Sequence, residues 1–486
     1  MQKHAGEYFG VTQIFQHPRR QRVMPSFRSW SSLLVTALVI AGCGQAPVPP
    51  VEDRTTEIKA EETKDKSADA DAGIVRVAPE GWNDFVGQRS PTSRGWVALP
   101  TPSPKDQHHS SVDATALGLL KPEECADCHA GHVNGFQETA HARTMRVATP
   151  QTVLGVLTPP HNKFLTRVKD FSFETVARGE GVIHQLTYQH AGTPRSLEIP
   201  VAYTVGSGNH GQSFLAWYGD MLCQTPVSYM TEANRWGNSP GLYIDGTADF
   251  SRPATPRCLD CHNTWFAHAP GSVNQYDKET GILGVTCVRC HGAARDHIQY
   301  HRRFPEDSVA QSIVNPRRLS RERANEVCAQ CHSGGGDPKR PAFTYQPGEP
   351  LEQWLDINLD ASDTSNDDPH SANQLGRLMR SRCYLESGTL TCMDCHNPHL
   401  QERGQADKFS KRCQSCHQVD DCGLSGKYAG MLATRCIECH MPSRRDRDVA
   451  SQGASESLLP LLRDHQIGIW PDVSNAIEQQ WKSNPR

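Results

Sequence analysis

The chain has 486 residues, 37% of them apolar and 21% charged, with a mean hydropathy of −0.59 and a formal charge of −4 at neutral pH. Residues 1–42 hold five basic groups and one acid, so their removal takes the charge from −4 to −8, which argues against a nucleic-acid surface and for partners that dock through basic groups. So lean an apolar share gives a small polypeptide core, and 18 cysteines with 23 histidines dominate the rest of the composition.

Arg19, Arg20, Arg22 and Arg28 precede the apolar run 31–42, SSLLVTALVIAG. Twelve residues are too few to span a bilayer as a helix, which needs roughly 20, but they suit the apolar core of an export signal over 1–42. The run ends Val39-Ile40-Ala41-Gly42-Cys43, which resembles a bacterial lipobox with Ile where Leu is commoner. On that reading Cys43 carries lipid and the protein is periplasmic, or on the outer face of a bacterial membrane, held by the anchor alone. Cleavage near Ala46 and a soluble product is the alternative, and Met24 offers a second start for the long leader. Residues 43–112 are rich in charge and in proline (Pro47, Pro49, Pro50) and are expected to form a flexible tether. Within it, GWNDFVG from 81 and GWVAL from 95 carry tryptophans suited to docking on the body.

From residue 125 the pattern Cys-x-x-Cys-His occurs seven times. Motif 1 is Cys125, Cys128 and His129; motif 2 is Cys258, Cys261 and His262; motif 3 is Cys287, Cys290 and His291; motif 4 is Cys328, Cys331 and His332. Motif 5 is Cys392, Cys395 and His396; motif 6 is Cys413, Cys416 and His417; motif 7 is Cys436, Cys439 and His440. Each is the attachment pattern of a c-type haem: two thiols join the porphyrin covalently, and the adjacent imidazole is the proximal ligand of the iron. Zinc knuckles or redox dithiols also use paired cysteines, but neither explains a histidine after the second cysteine in all seven copies. The expectation is seven covalently bound haem c groups, about one per 45 residues over 125–440, and export agrees with it because c-type haem is attached outside the cytoplasm.

A gap of 133 residues separates motifs 1 and 2. Alternating apolar residues and turn glycines over 164–206 predict a small antiparallel β insertion, and the aromatic-rich stretch from 208 to 241 is expected as mixed loop and helix. The later motifs follow at gaps of 29, 41, 64, 21 and 23 residues, room for a helical turn or two and a loop per haem. Neighbouring macrocycles must then lie close, as electron transfer requires. The acidic run DASDTSNDD predicts a surface loop, and residues 458–481 two short helices. The expected fold is mainly α and irregular, a multihaem body over 113–470 with a C-terminal tail over 471–486.

Fourteen histidines remain beyond the motifs and the leader, twice the number needed for a second imidazole on every iron. A histidine just after its own motif cannot easily reach round the ring, so His132, His297 and His399 are expected to serve neighbouring haems. His184 and His190 share a strand face with Leu186 and Tyr188, and a core or surface role is the commoner one there, as it is for His108, His109, His161 and His301; His268 stands between the two roles. Cys43, Cys223, Cys383 and Cys422 lie outside the motifs. With Cys43 lipidated, a Cys383–Cys422 disulfide is one expectation and three free thiols the other.

CADCH followed by FQETAHA, CVRCHGAARDH, NPRRLSRERANEVCAQCH, PGEPL, SRCYLESGTLTCMDCHNPH, CGL at 422 and CIECHMP with a later DHQI carry a resemblance to a family over about 120–470. These stretches are similar to exported multihaem cytochromes related to the tetrahaem cytochrome that accepts electrons from hydroxylamine oxidoreductase. The resemblance implies stacked and perpendicular haem pairs, and distal ligands at His141, His297, His370, His399 and His465, with His210 a sixth. The β insertion and lipobox depart from the small prototype, so its partner is not inherited. Two functions follow as expectations. One is an electron carrier with fully ligated haems, passing single electrons to redox proteins such as other cytochromes or a quinone-linked membrane complex. The other is an oxidoreductase acting on a small nitrogen or sulfur compound at one haem with an open axial position, placed near motif 1 and the insert, with Tyr203, His210 or Arg235 as acid or base. No CxxCK variant is present to favour the second.

Overall fold

The computed structural model describes residues 97–98, 114, 117–166, 169–190, 193–240, 248–357, 372–445, 451–452 and 457–483. The export signal over 1–42, Cys43, His108, His109, the acidic run and His370 lie outside the described residues.

Within the span expected as tether, strand β1 (Val97–Ala98) pairs in parallel with Ala248–Asp249. Helix α1 (Pro122–Gln137) follows, opening with Pro122 and with Glu123 and Glu124 at its positive end, and it carries motif 1. The helix leaves regular geometry at His129 (φ −119°, ψ 33°), and Val133 and Phe136 are its buried residues.

The chain then builds two sheets. Strands β2 (Met145–Val147), β3 (Lys163–Leu165), β4 (Ser172–Arg178), β5 (Gly181–His190) and β6 (Thr193–Val201) lead to β7 (Tyr203–Val205), β8 (Gly211–Tyr218), β9 (Met221–Gln224), β10 (Val227–Met230) and β11 (Arg235–Asn238). One sheet is ordered β3-β4-β5-β6, the other β11-β10-β8-β7-β2 with β9 paired to β8. Alternate residues of β6, Leu197, Ile199 and Val201, point inward, as a half-buried strand requires. They share a core with Phe173, Leu186, Phe214, Ala216 and Trp236, so the two sheets bury one aromatic interior.

The β region is therefore larger than the sequence expectation of 164–206, and the stretch expected as loop and helix is four strands. Its runs are only four to eight residues long, and tight turns mask their alternation: Gly219 takes φ +61° between β8 and β9, and Asn234 takes φ +51° before β11. After Ala248–Asp249 (β12) the chain turns helical in short pieces.

These pieces are α2 (Pro256–His262), α3 (Val288–His291), α4 (Arg295–Arg303), α5 (Arg321–His332), α6 (Gln374–Met379), α7 (Arg382–Ser387), α8 (Cys392–Cys395), α9 (Ala406–Cys413), α10 (Ser425–Leu432), α11 (Cys436–His440) and α12 (Pro471–Ser483). The described part is thus mixed helix and sheet rather than mainly helical. PGEPLEQW packs Leu351 and Trp354 with Tyr345 and Leu375 in a small core of its own. The tail also differs from expectation: Leu461–Arg463 is a strand paired with Ser443–Arg445, and only α12 is helical. Pro460 and the glycine at 468 bracket that strand and break any helix there.

Candidate functional site

In one helical turn, residues at i, i+3 and i+4 lie on one face, so each motif turns its two thiols and its imidazole to the same side. Helix caps fix some of these turns: the Thr255 hydroxyl accepts from the Cys258 amide (3.4 Å) ahead of motif 2, and Ser320 accepts from Arg323 N–H (3.3 Å) at the start of the helix ending in motif 4.

Four motif imidazoles face a second imidazole. His129 lies 6.4 Å from His297, His291 6.1 Å from His399, His396 6.2 Å from His465, and His332 6.1 Å from His141, centre to centre. A metal–nitrogen bond of about 2 Å on each side, plus about 1.2 Å from nitrogen to ring centre, places two axial imidazoles roughly 6.4 Å apart. The observed spacing is therefore that of two rings with one metal ion between them, too wide for direct stacking. The ring planes are near parallel in the first three pairs (15°, 12° and 25°) and near perpendicular in the fourth (75°).

The hydrogen bonds agree. Nδ1 of His297 donates to Gln311 O (2.8 Å), that of His291 to Val314 O (2.8 Å), that of His332 to Gln374 Oε1 (2.8 Å) and that of His465 to Arg463 O (3.1 Å). These oxygens only accept, so the proton sits on Nδ1 and Nε2 presents a lone pair, the tautomer a metal needs. Each of the four pairs contains one ring held in this way. Burial also favours the neutral ring at several of these positions: His141 and His465 are pushed down to about 4, and His129, His262, His332, His396 and His399 are lowered from the usual imidazole value.

Close backbone approaches hold the second imidazoles in place. A Cβ on Gly135 of α1 would sit 2.7 Å from His399 O, so only glycine lets this loop close on α1. Gly284, at φ +72°, meets the backbone of Ala142 in the same way, while Val285 N–H donates to His141 O (3.1 Å). The loop bearing His465 is fastened by Asp464, fully buried, which accepts two bonds from Arg377 (2.9 and 2.6 Å). The Ser381 hydroxyl donates to His465 O (3.2 Å) and accepts from Ile467 N–H (2.8 Å). Around motif 5, buried Glu402 accepts from Arg412 (2.6 and 2.7 Å) and from Asn397 N–H (3.0 Å). Arg412 holds the Glu402 carboxyl down at about 2. A cavity of about 530 Å³ is bounded by Cys128, His129, His132, Asn397, His399 and Leu400.

Thiols of different motifs also meet. Cys125 lies beside Cys287, Cys261 beside Cys331, and Cys328 beside Cys392, bringing together motifs 1 and 3, 2 and 4, and 4 and 5. Cys290 is within electrostatic reach of Cys328, Cys395 of Cys413, and Cys413 of Cys436.

Other expected site residues fall elsewhere. His210 lies by Arg403 and Glu232 and pairs with no motif imidazole, because the loop after β7 faces the 401–403 segment instead. Cys383 and Cys422 are both free thiols, so the disulfide expected between them is not formed. Cys383 neighbours Cys395, Cys413 and Cys416, whereas Cys422 neighbours Cys439, which puts the two beside different motifs. Tyr203, offered with His210 and Arg235 as an acid or base, packs against Trp217 and Phe266 in a core, and Arg235 stands exposed on an edge strand. His184 is buried between Phe214 and Trp236, and His268 bonds Ser272. His132 lies 4.8 Å from His399 and His301 4.7 Å from His297, so each flanks a second imidazole. Motif 1, near which the catalytic alternative placed its open position, faces His297; His262, His417 and His440 belong to none of the imidazole pairs found among the described residues.

The family described as cytochrome c554 and c-prime matches residues 210–292, which include motifs 2 and 3. A multiheme cytochrome, MtrA, from Shewanella baltica is 23% identical over 40% of this chain and 64% of its own length. A dissimilatory sulfite reductase, MccA, from Wolinella succinogenes is 20% identical over 67% of this chain and 50% of its own length. These likenesses support a multihaem c-type cytochrome. Covalently bound haem c is the cofactor that the likeness implies. The chain spans between half and two-thirds of the length of these curated relatives, and no solved structure matches it.

Proposed function

We propose that the chain is an exported seven-haem c-type cytochrome that passes single electrons between redox proteins. The observation that carries this is the set of four imidazole pairs at axial spacing, each with one ring held through Nδ1. Haem c supplies reversible one-electron exchange at iron. The protein's part would be to hold each group through two thiols and to present one imidazole to each face at motifs 1, 3, 4 and 5. Fully capped positions leave no place for a substrate, which favours conduction over catalysis at these four.

The thiol contacts support an order of conduction. Motifs 1, 3, 4, 5, 6 and 7 follow one another by contact or electrostatic reach, with motif 2 beside motif 4. Lipid on Cys43 would hold the protein at a bacterial membrane, where other cytochromes or a quinone-linked complex are fitting partners. Haem counting by mass spectrometry of the exported protein, with electron paramagnetic resonance of its oxidised form, tests the reading: covalent haem at all seven motifs with low-spin centres supports it, and protein without thioether-bound haem removes it.

A second reading has one observation in its favour. His262, like His417 and His440, faces no second imidazole among the described residues, and of these three motifs only motif 2 stands off the line of the others, so its iron is where an open position would fit. An oxidoreductase acting on a small sulfur or nitrogen compound would work there. A high-spin signal that moves on adding sulfite, nitrite or hydroxylamine would support it, and a spectrum indifferent to all three would remove it.

A further inference from the structure

The variable residues inside motifs 2, 3 and 4 are bonded to one another in the interior. Arg289 of motif 3 donates through Nη2 to both Oδ1 and the carbonyl oxygen of Asp260 in motif 2, each at 2.9 Å. Gln330 of motif 4 donates through Nε2 to Arg289 O (3.1 Å). Arg257 closes the circuit, reaching Asp260 Oδ2 at 3.3 Å and Gln330 O at 3.2 Å, and Phe343 N–H donates to Asp260 Oδ1 at 2.8 Å. The Arg289 side chain is 5% exposed and that of Asp260 12%. The Arg289 guanidinium is within electrostatic reach of Cys261, Cys290 and Cys331, one thiol from each motif.

Haem attachment needs only the cysteines and the histidine, so nothing in that chemistry asks for an acid, a base and an amide at these places. A buried ion pair costs desolvation that apolar residues of like size would not, so its presence asks for a role beyond packing. We propose that Asp260, Arg289 and Gln330 form a positioning knot that fixes motifs 2, 3 and 4 on one another and sets the reduction potentials of the haems held there through opposed buried charges. This rests on the haem-attachment reading above. Reduction adds one electron to a centre, so a cation nearby favours the reduced state and an anion opposes it. With Asp260 set between Arg289 and Arg257 the opposing fields offset one another, and removing one charge tips the balance towards the sign of those that remain.

The signs give the test, made on the exported, haem-loaded full chain by potentiometric titration followed optically, with haem content by mass spectrometry. Arg289→Gln takes away one of the two cations around Asp260 and lowers the potential of one or more of the three haems. Asp260→Asn leaves Arg289 and Arg257 without their shared counter-charge and raises it. The double variant returns towards the parent, and Arg289→Lys, which keeps the charge, stays near it. A knot that mattered only for folding would give haem loss or shifts of one sign in both single variants. Shifts of the same sign, or none, therefore overturn the proposal. If Arg289→Gln does not mature, Asp260→Asn still decides: without a positive shift the knot has no electrostatic role. A parent protein lacking covalent haem would instead remove the reading on which the knot rests.

Discussion

Asp464→Asn perturbs the fastening of a single second imidazole. Asp464 is fully buried and paired with Arg377, whose side chain is 4% exposed, and Arg444 approaches it at 3.2 Å. Removing the carboxylate charge takes this counter-charge from the buried Arg377, and breaking such a buried pair costs about 3–5 kcal/mol. The loss falls on the segment 464–467, which brings His465 to 6.2 Å from His396. Hydrogen exchange should show the opening free energy of 374–387 and 461–468 falling by that amount, and electron paramagnetic resonance should show one low-spin centre turning high-spin. Replacing the pair by Arg377→Met with Asp464→Leu should recover most of the stability, because a buried pair exchanged for apolar residues is often neutral. Exchange and spectra of Asp464→Asn indistinguishable from the parent would refute the claim that this pair holds the ligand.

Gly135→Ala drives a methyl group into His399 O, so His399 should withdraw from His291 and the spectrum of the motif 3 centre should lose low-spin intensity, while Gly131→Ala, with open space around it, should not. His184 gives a pH effect independent of haem: burial pushes it down to about 3, against about 6.5 unfolded, so its neutral state is fully compatible with folding above about 6.5 and stability is lost as pH falls towards 3, at about 1.4 kcal/mol per unit. His184→Leu should flatten the acid dependence of exchange in β4–β6, and because both ring nitrogens lack partners it should also slow exchange at pH 7. Glu402 has the opposite origin with the same direction: Arg412 holds it at about 2, so its contribution is whole above the unfolded value near 4.3 and disappears as pH falls through 2. Glu402→Gln should remove that acid transition from the exchange of residues 395–402.

The seven motifs were plain in the sequence because haem attachment constrains neighbours three residues apart. The second imidazoles were not, since His141 and His332, or His396 and His465, are brought together only by tertiary structure; the resemblance to known cytochromes supplied them, and it also offered His210, which lies by Arg403 instead. Strands β4–β6 show the period of two over seven to ten residues, enough to read. Strands β9–β11 have four residues each, and aromatic side chains with close turns made them look like loop. Asp260, Arg289 and Gln330 occupy positions that the motif leaves free, so nothing local marks them as a connected group.

The most direct test of the account is electron paramagnetic resonance of the fully oxidised, haem-loaded protein, with haem counted on the same sample. It predicts at least four low-spin bis-imidazole centres, three with near-parallel rings and one, at motif 4, with the highly anisotropic signal of near-perpendicular rings. Covalent haem with no low-spin bis-imidazole signal would contradict it.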